Sequence, residues 1–297
     1  MRRTCVPDVR SREAALPSTT IDGIRTHYEA IGQGPPLLMY SPGGFDATLE
    51  KWRTQGIYAR IKLLDHLPQK YRCIVFDRRE SGESGGRVER LTWAHYVAQG
   101  WGLIQHLGIE RAHIMGACMG CSPVVAFAVA HPQATLSMIL YWPVGGAKYR
   151  INSHARFAQH LALVEEQGLK GVVALVQKEG KPFNAEPRGG PWASVIGSDP
   201  AFAASYVKQD LAKYKRIVQD TCRALFDRDT SPGAEPEDLL KLEIPALVVP
   251  GRDPSHATSA ARYLEECLPR AQYWDVAPEG QTEQTAPARL LTFLDSV

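Results

Sequence analysis

The chain has 297 residues, of which 44% are hydrophobic and 22% are charged, and its formal net charge is +2 at pH 7. This length suits one large α/β domain or a domain with an insertion. The near-balance of charges excludes the strong positive field that nucleic acid or an anionic membrane requires, and no apolar run reaches the roughly 18 residues of a membrane span. We therefore expect a soluble, cytoplasmic protein that binds neither nucleic acid nor a membrane.

Apolar runs and amphipathic stretches alternate along the chain, which favours an α/β fold with a mostly parallel, doubly wound sheet. Strands are predicted at residues 24–31, 36–41, 73–77, 112–116, 137–142, 246–251 and 272–276. Helices are predicted at residues 49–67, 93–107, 119–130, 258–267 and 286–294. The sequence thus predicts an N-terminal extension (residues 1–20), a core (21–146 and 242–297) and an inserted helical cap (147–241) without strong strands.

The stretch GACMG at residues 116–120 lies where a predicted strand meets a predicted helix. It fits the pattern Gly-x-nucleophile-x-Gly, in which glycines avoid Cβ collisions around a strained turn. Its central Cys118 would lie at a helix N-terminus, which favours a thiolate. Cys118 is therefore the candidate nucleophile. Cys121, three residues later, leaves a second interpretation open, a Cys-x-x-Cys redox pair.

An oxyanion hole needs two backbone N–H groups, one next to the nucleophile and one from an upstream loop. Met119 is expected to supply the first, and Gly44, in the stretch SPGGF at residues 41–45, the second. The stretch LVVPGRD at residues 247–253 places Asp253 just after a late strand. Asp253 is therefore the candidate acid of a catalytic triad.

These stretches resemble the α/β-hydrolase superfamily over residues 24–294, together with YEAIGQGPPLL (28–38), FDRRESGES (76–84), LIQHLGIERAHIMG (103–116) and LLTFL (290–294). The resemblance implies the α/β-hydrolase fold, and a cysteine nucleophile is similar to that of dienelactone hydrolases and polyester synthases. The chain departs from the family pattern twice. Pro42 stands where the family usually has histidine before the glycine, and Gln281 follows Gly280 where the family usually has its histidine base.

Glutamine has no titratable nitrogen, so a base must come from elsewhere. His256 lies three residues after Asp253, a one-turn spacing that lets the carboxylate orient the imidazole. His256 is the candidate base, and a capping or packing role for it stays open. A thiolate can attack without a base, but hydrolysis of the resulting thioester needs activated water, for which Asp253 and Glu279 are the other candidates.

The sequence therefore predicts a cysteine hydrolase that cleaves an ester, lactone or thioester of a small, largely uncharged substrate through an acyl-thioester intermediate. No cofactor or metal is expected, a small molecule is the expected partner, and a homodimer is left open. Three alternatives also stay open: an acyltransferase, a non-catalytic ligand-binding relative, and a thiol redox protein. The residues expected to contact the substrate are Gly43, Phe45, Trp142 and Gln281.

Overall fold

A computed structural model describes residues 17–297, so residues 1–16 of the expected N-terminal extension lie outside the described part. The described residues contain eight strands: β1 (Ser18–Ile21), β2 (Ile24–Ile31), β3 (Pro36–Tyr40), β4 (Arg72–Phe76), β5 (Ala112–Ala117), β6 (Thr135–Tyr141), β7 (Ala246–Val249) and β8 (Ala271–Tyr273). They form one sheet in the order β1-β2-β4-β3-β5-β6-β7-β8. Strand β2 is antiparallel to both its neighbours, and the pairs from β4 to β8 are parallel.

Helices surround this sheet. In the described residues they are α1 (Lys51–Thr54), α2 (Gly56–Ile61), α3 (Leu63–His66), α4 (Trp93–His106), α5 (Cys121–Ala130), α6 (Ala147–Glu179), α7 (Ala193–Ser198), α8 (Pro200–Tyr206), α9 (Leu211–Leu225), α10 (Pro236–Leu239), α11 (Thr258–Cys267) and α12 (Thr285–Leu294). None of them is both long enough and apolar enough to cross a membrane.

Two local differences from the predicted elements have conformational causes. The helix predicted at 49–67 is divided into α1, α2 and α3, because Gln55 is extended and Lys62 is left-handed, with φ of 45°. Strand β1 was not predicted and takes up three residues of the expected extension. It is joined to β2 by Asp22 and Gly23, which both have positive φ, and an Asp-Gly pair is typical of a tight hairpin turn.

Apolar side chains cover both faces of the sheet. Leu38 and Tyr40 of β3 pack into one buried cluster, and Leu37 and Met39 of the same strand pack into another. Successive side chains of a strand point to opposite faces, so a strand that is apolar at every position needs cover on both sides. The predicted doubly wound, mostly parallel α/β sheet is therefore confirmed.

The functional candidates gather where parallel strands end. Gly43 follows β3, Cys118 follows β5, and Asp253 follows β7. The carboxyl ends of parallel strands meet at one edge of a sheet, which is where α/β proteins bind ligands. Helices α6 to α10 occupy the connection between β6 and β7, the stretch in which a cap is expected, and the division into domains stays a prediction.

Candidate active site

The candidate nucleophile lies in a sharp turn between β5 and α5. Cys118 has φ of 56°, a left-handed conformation that is uncommon for a residue with a side chain. A Cβ atom on Gly116 would come within 2.2 Å of the Gly120 carbonyl oxygen, and one on Gly120 within 2.5 Å of the Tyr40 carbonyl oxygen. Both glycines of the motif are therefore required by close approach of the backbone.

The surroundings of the Cys118 sulfur favour its charged form. Burial raises the pKa of this thiol. The charge of His256, a hydrogen bond with its side chain, and hydrogen bonds from the backbone N–H groups of Gly43 and Met119 act in the opposite direction and outweigh burial. The pKa of Cys118 therefore lies below its ordinary value, and the site can hold a thiolate–imidazolium pair.

The two glycine N–H groups of the loop after β3 have different partners. The N–H of Gly43 faces Cys118, whereas the N–H of Gly44 donates to the Asp46 carboxylate at 3.2 Å. Gly43 has φ of 114°, where a side chain would be strained. The Arg78 guanidinium fixes the loop from behind by donating to the carbonyl oxygens of both glycines. The Gly44 N–H expected in the oxyanion hole is therefore engaged by Asp46, and Gly43 becomes the other candidate donor of this loop.

Asp253 and His256 form a short-range pair on the loop after β7. The Nδ1 atom of His256 lies 2.7 Å from Oδ2 of Asp253. The other carboxylate oxygen accepts the backbone N–H groups of Ser255, at 2.8 Å, and His256, at 3.0 Å. The His256 ring also packs against Trp142, with 5.4 Å between ring centroids. Its Nε2 atom is buried and has no nitrogen or oxygen hydrogen-bond partner among the described residues, and the charge of the Cys118 thiol acts on the ring.

The charges of this pair reinforce the thiolate. Burial lowers the pKa of His256, but the negative charge of Cys118 and the hydrogen bonds with Asp253 and Cys118 outweigh it and raise the pKa to about 10. The hydrogen bond from His256 is the main cause that lowers the pKa of Asp253 to about 2. These pKa shifts favour a chain of alternating charge: carboxylate, imidazolium and thiolate.

Gln281 occupies a buried position behind this chain. Its Oε1 accepts hydrogen bonds from the Tyr141 hydroxyl, at 2.9 Å, and from Nε1 of Trp142, at 2.7 Å. Its Nε2 donates to the carbonyl oxygens of Pro250, at 3.0 Å, and Val276, at 3.1 Å. An amide side chain can make four such bonds, so none is left for a ligand. The expected substrate contact of Gln281 is therefore corrected to a structural role that also fixes Trp142.

A small cavity of about 30 Å³ is lined by Met119, the residue that follows Cys118. Phe45 lies against it, and its ring centroid is 5.8 Å from that of Phe157 and 5.4 Å from that of Phe183. Trp142 is not part of this lining and instead packs on His256. The lining residues are Gly44, Phe45, Met119, Tyr149, Ser153, Arg156, Phe157, Phe183, Asn184 and Phe226. The aromatic groups therefore enclose a space next to the turn that carries Cys118, and the contact of Phe45 with a substrate stays a prediction.

The second cysteine of the motif is buried away from this cavity. The Cys121 thiol donates to the carbonyl oxygens of Gly116, at 3.2 Å, and Tyr141, at 3.5 Å. Burial raises its pKa well above the ordinary value, which disfavours the thiolate that thiol–disulfide exchange needs. The arrangement therefore gives no support to a redox pair. Among residues 17–297, no group of three His, Cys, Asp or Glu side chains is arranged to hold a metal ion.

Sequence reasoning missed three residues at the site. Arg78 lies in the stretch FDRRESGES (76–84), and sequence spacing does not indicate that it contacts the loop after β3. Tyr149 and Arg156 lie on α6 and reach the cavity together. Their separation of seven residues is two helical turns, so helical periodicity could have placed them on one face but could not have shown what that face meets.

Comparisons with known proteins agree with the fold. A family model described as the alpha/beta hydrolase fold matches residues 36–280. The dihydrolipoyllysine-residue acetyltransferase component of the acetoin cleaving system of Cupriavidus necator is 31% identical over 204 residues, 69% of this chain and 46% of that protein. A proline iminopeptidase of Xylella fastidiosa is 29% identical over 143 residues, 46% of this chain and 42% of that protein. The chain thus spans less than half the length of these two relatives.

Solved structures give the same fold. The enol-lactonase from Burkholderia xenovorans LB400 superimposes with a TM-score of 0.60 at 20% identity, over 94% of this chain and 100% of that chain. The family match covers most of the sheet, the turn that carries Cys118 and the loop that carries Asp253 and His256. From this match, the sheet order and the strained turn after β5, we conclude that the chain belongs to the α/β-hydrolase fold family.

Proposed function

We propose that the protein is a cysteine-dependent hydrolase that cleaves an ester, lactone or thioester through an acyl-thioester intermediate. The observation that carries the proposal is the thiol of Cys118 in a strained turn, facing an imidazole that Asp253 holds at 2.7 Å. A nucleophile, a base within hydrogen-bond reach and a third group that orients the base are the three parts of a catalytic triad. Here the base follows β7 instead of β8.

In the first half of the proposed reaction, the Cys118 thiolate attacks the carbonyl carbon and forms a carbon–sulfur bond. The carbonyl oxygen becomes an oxyanion, which the backbone N–H groups of Gly43 and Met119 stabilise. As the bond to the leaving group breaks, the imidazolium of His256 donates its proton to that group. The product is a thioester on Cys118 and a neutral His256.

In the second half, His256 takes a proton from a water molecule that attacks the thioester. Burial lowers the pKa of His256, and the charge of the Cys118 thiolate is the largest influence that raises it. Acylation removes this charge while burial remains, so the imidazole becomes neutral when a base is needed. The carbon–sulfur bond then breaks, the acid product is released, and the thiolate–imidazolium pair is restored.

Acyl transfer to a nucleophile other than water is the second candidate. Its support is the name of the Cupriavidus necator relative, an acetyltransferase component that is 31% identical over 69% of this chain. Both candidates share the thioester on Cys118 and differ only in what attacks it. Adding hydroxylamine during turnover distinguishes them, because a transferase favours the added nucleophile far more strongly than a hydrolase does.

Trapping the intermediate tests the proposal. We expect that acid quenching during turnover of 4-nitrophenyl acetate leaves an acetyl group on the peptide that carries Cys118, detected by mass spectrometry. Cys118→Ala should lose both the acetylated peptide and turnover. Cys121→Ala is the matched control, since Cys121 is buried behind the turn, and it should keep both. Full turnover by Cys118→Ala would contradict a cysteine nucleophile.

A further inference from the structure

One face of helix α6 carries polar groups into the cavity beside Cys118. Tyr149, Ser153 and Arg156 follow one another at spacings of four and three residues and all line this cavity, as expected for neighbouring turns of one helix face. The Ser153 hydroxyl is already engaged, because it donates to the Tyr149 carbonyl oxygen at 2.9 Å. The phenol of Tyr149 and the guanidinium of Arg156 are the groups left to act on a ligand.

The Tyr149 hydroxyl has no partner although the residue is only 8% exposed. A buried hydroxyl without a hydrogen bond is costly, and such groups are normally paired. The charges of Cys118, Arg78 and Arg156 all act on this hydroxyl, so it lies within electrostatic reach of the nucleophile and of both guanidinium groups. An unpaired donor in this position indicates that a ligand acceptor completes the site.

Arg156 is half-buried, and it makes no ion pair or hydrogen bond with any residue from 17 to 297. The nearby carboxylate of Asp46 is not the counter-ion of Arg156. It is paired with Lys51 at 2.6 Å and accepts hydrogen bonds from Gly44 and Asn184. The cavity therefore keeps a positive charge that the described part of the chain leaves without an anion.

We propose that this cavity binds a carboxylate carried by the substrate close to its scissile carbonyl group, with Arg156 and Tyr149 as donors. An arginine fork fits a carboxylate with two parallel hydrogen bonds. The cavity has room for about two water molecules, which is about the size of a carboxylate. This inference rests on the proposed function and replaces the largely uncharged substrate predicted from the sequence with an anionic one.

Alkylation of Cys118 tests the site without requiring turnover. Iodoacetate carries a carboxylate where iodoacetamide carries a neutral amide, and each reagent bears that group next to the carbon that the thiolate attacks. The measured quantity is the rate constant of iodoacetate at Cys118 divided by that of iodoacetamide, followed by peptide mass spectrometry. We expect Arg156→Met to lower this ratio by about tenfold, the scale of a charge-assisted hydrogen bond. Arg156→Lys should keep part of the ratio. Lys170→Met is the matched control, because it removes an exposed positive charge from the same helix, and should leave the ratio unchanged.

The anion site and the proposed function fail in different ways. An unchanged ratio in Arg156→Met would overturn the anion site while leaving the nucleophile intact. If iodoacetamide instead modifies Cys118 of the unaltered protein no faster than the partly exposed Cys267, the reactive thiol is overturned. Should Arg156→Met fail to fold, Tyr149→Phe removes only the hydroxyl and is expected to lower the same ratio about threefold, and an unchanged ratio there would overturn the site.

Discussion

Replacing His256 by glutamine is expected to lower kcat/KM for 4-nitrophenyl acetate by about a thousandfold, within the usual range for loss of a general acid–base group. Glutamine can still hydrogen-bond to Asp253, so the loop keeps a partner for the carboxylate. It carries no proton that it can give to a leaving group and cannot accept one from water. Both halves of the proposed reaction therefore slow down.

The control for this prediction is His106→Gln. His106 lies on α4 and is exposed, and its Nδ1 is 3.3 Å from the Thr19 hydroxyl of β1, at the far edge of the sheet. The same chemical change there should alter kcat/KM less than twofold. A loss below about tenfold in His256→Gln would contradict the role of His256 as general acid and base. It would make Asp253 the next candidate for the base, since Glu279 is exposed.

Replacing Gln281 by leucine is expected to lower the free energy of unfolding by about 4 kcal/mol, measured by urea denaturation. Leucine fills a similar volume but leaves four groups without partners, two donors on Tyr141 and Trp142 and two carbonyl oxygens on Pro250 and Val276. Each buried group left unpaired costs about 1 kcal/mol or more. Since the position is fully buried, water cannot replace the amide.

Gln133→Leu serves as the control because Gln133 is exposed in the turn before β6, and its effect on stability should stay within about 0.5 kcal/mol. The Gln281 variant should also lose activity, since Trp142 packs on His256 and would lose the hydrogen bond that orients it. A destabilisation below about 1 kcal/mol would contradict the claim that the Gln281 amide satisfies four buried groups.

The elements that the sequence predicted correctly depend on short-range patterns. The turn around Cys118 follows from glycines two residues away on each side, because local backbone contacts require them. The Asp253–His256 pair follows from a spacing of three residues. Its contact with the Cys118 thiol depends on the register of β5, β6 and β7, which brings two segments more than 130 residues apart to one edge of the sheet.

The features that the sequence did not predict depend on contacts between distant elements. Which N–H group of the loop faces Cys118, that of Gly43 or that of Gly44, depends on the orientation of the peptide groups. Arg78, which follows β4, holds that orientation by donating to the Gly44 carbonyl oxygen. Gln281 stands where the family pattern has its histidine base. Its hydrogen-bond partners, Tyr141 on β6 and Pro250 after β7, are brought to it by the tertiary fold. The unpaired charge of Arg156 likewise depends on the position of α6 relative to the turn that carries Cys118.

The central claim is that His256 and Cys118 form one charged pair. Its most direct test is the pH dependence of Cys118 alkylation by iodoacetamide, compared between the unaltered protein and His256→Gln. In the unaltered protein we expect the rate to reach half its maximum below the ordinary pKa of a thiol, about 8.5, because the imidazolium favours the thiolate. In His256→Gln burial acts without that charge, so the midpoint should move above the ordinary value. Coincident midpoints in the two proteins would contradict the pairing of His256 with Cys118.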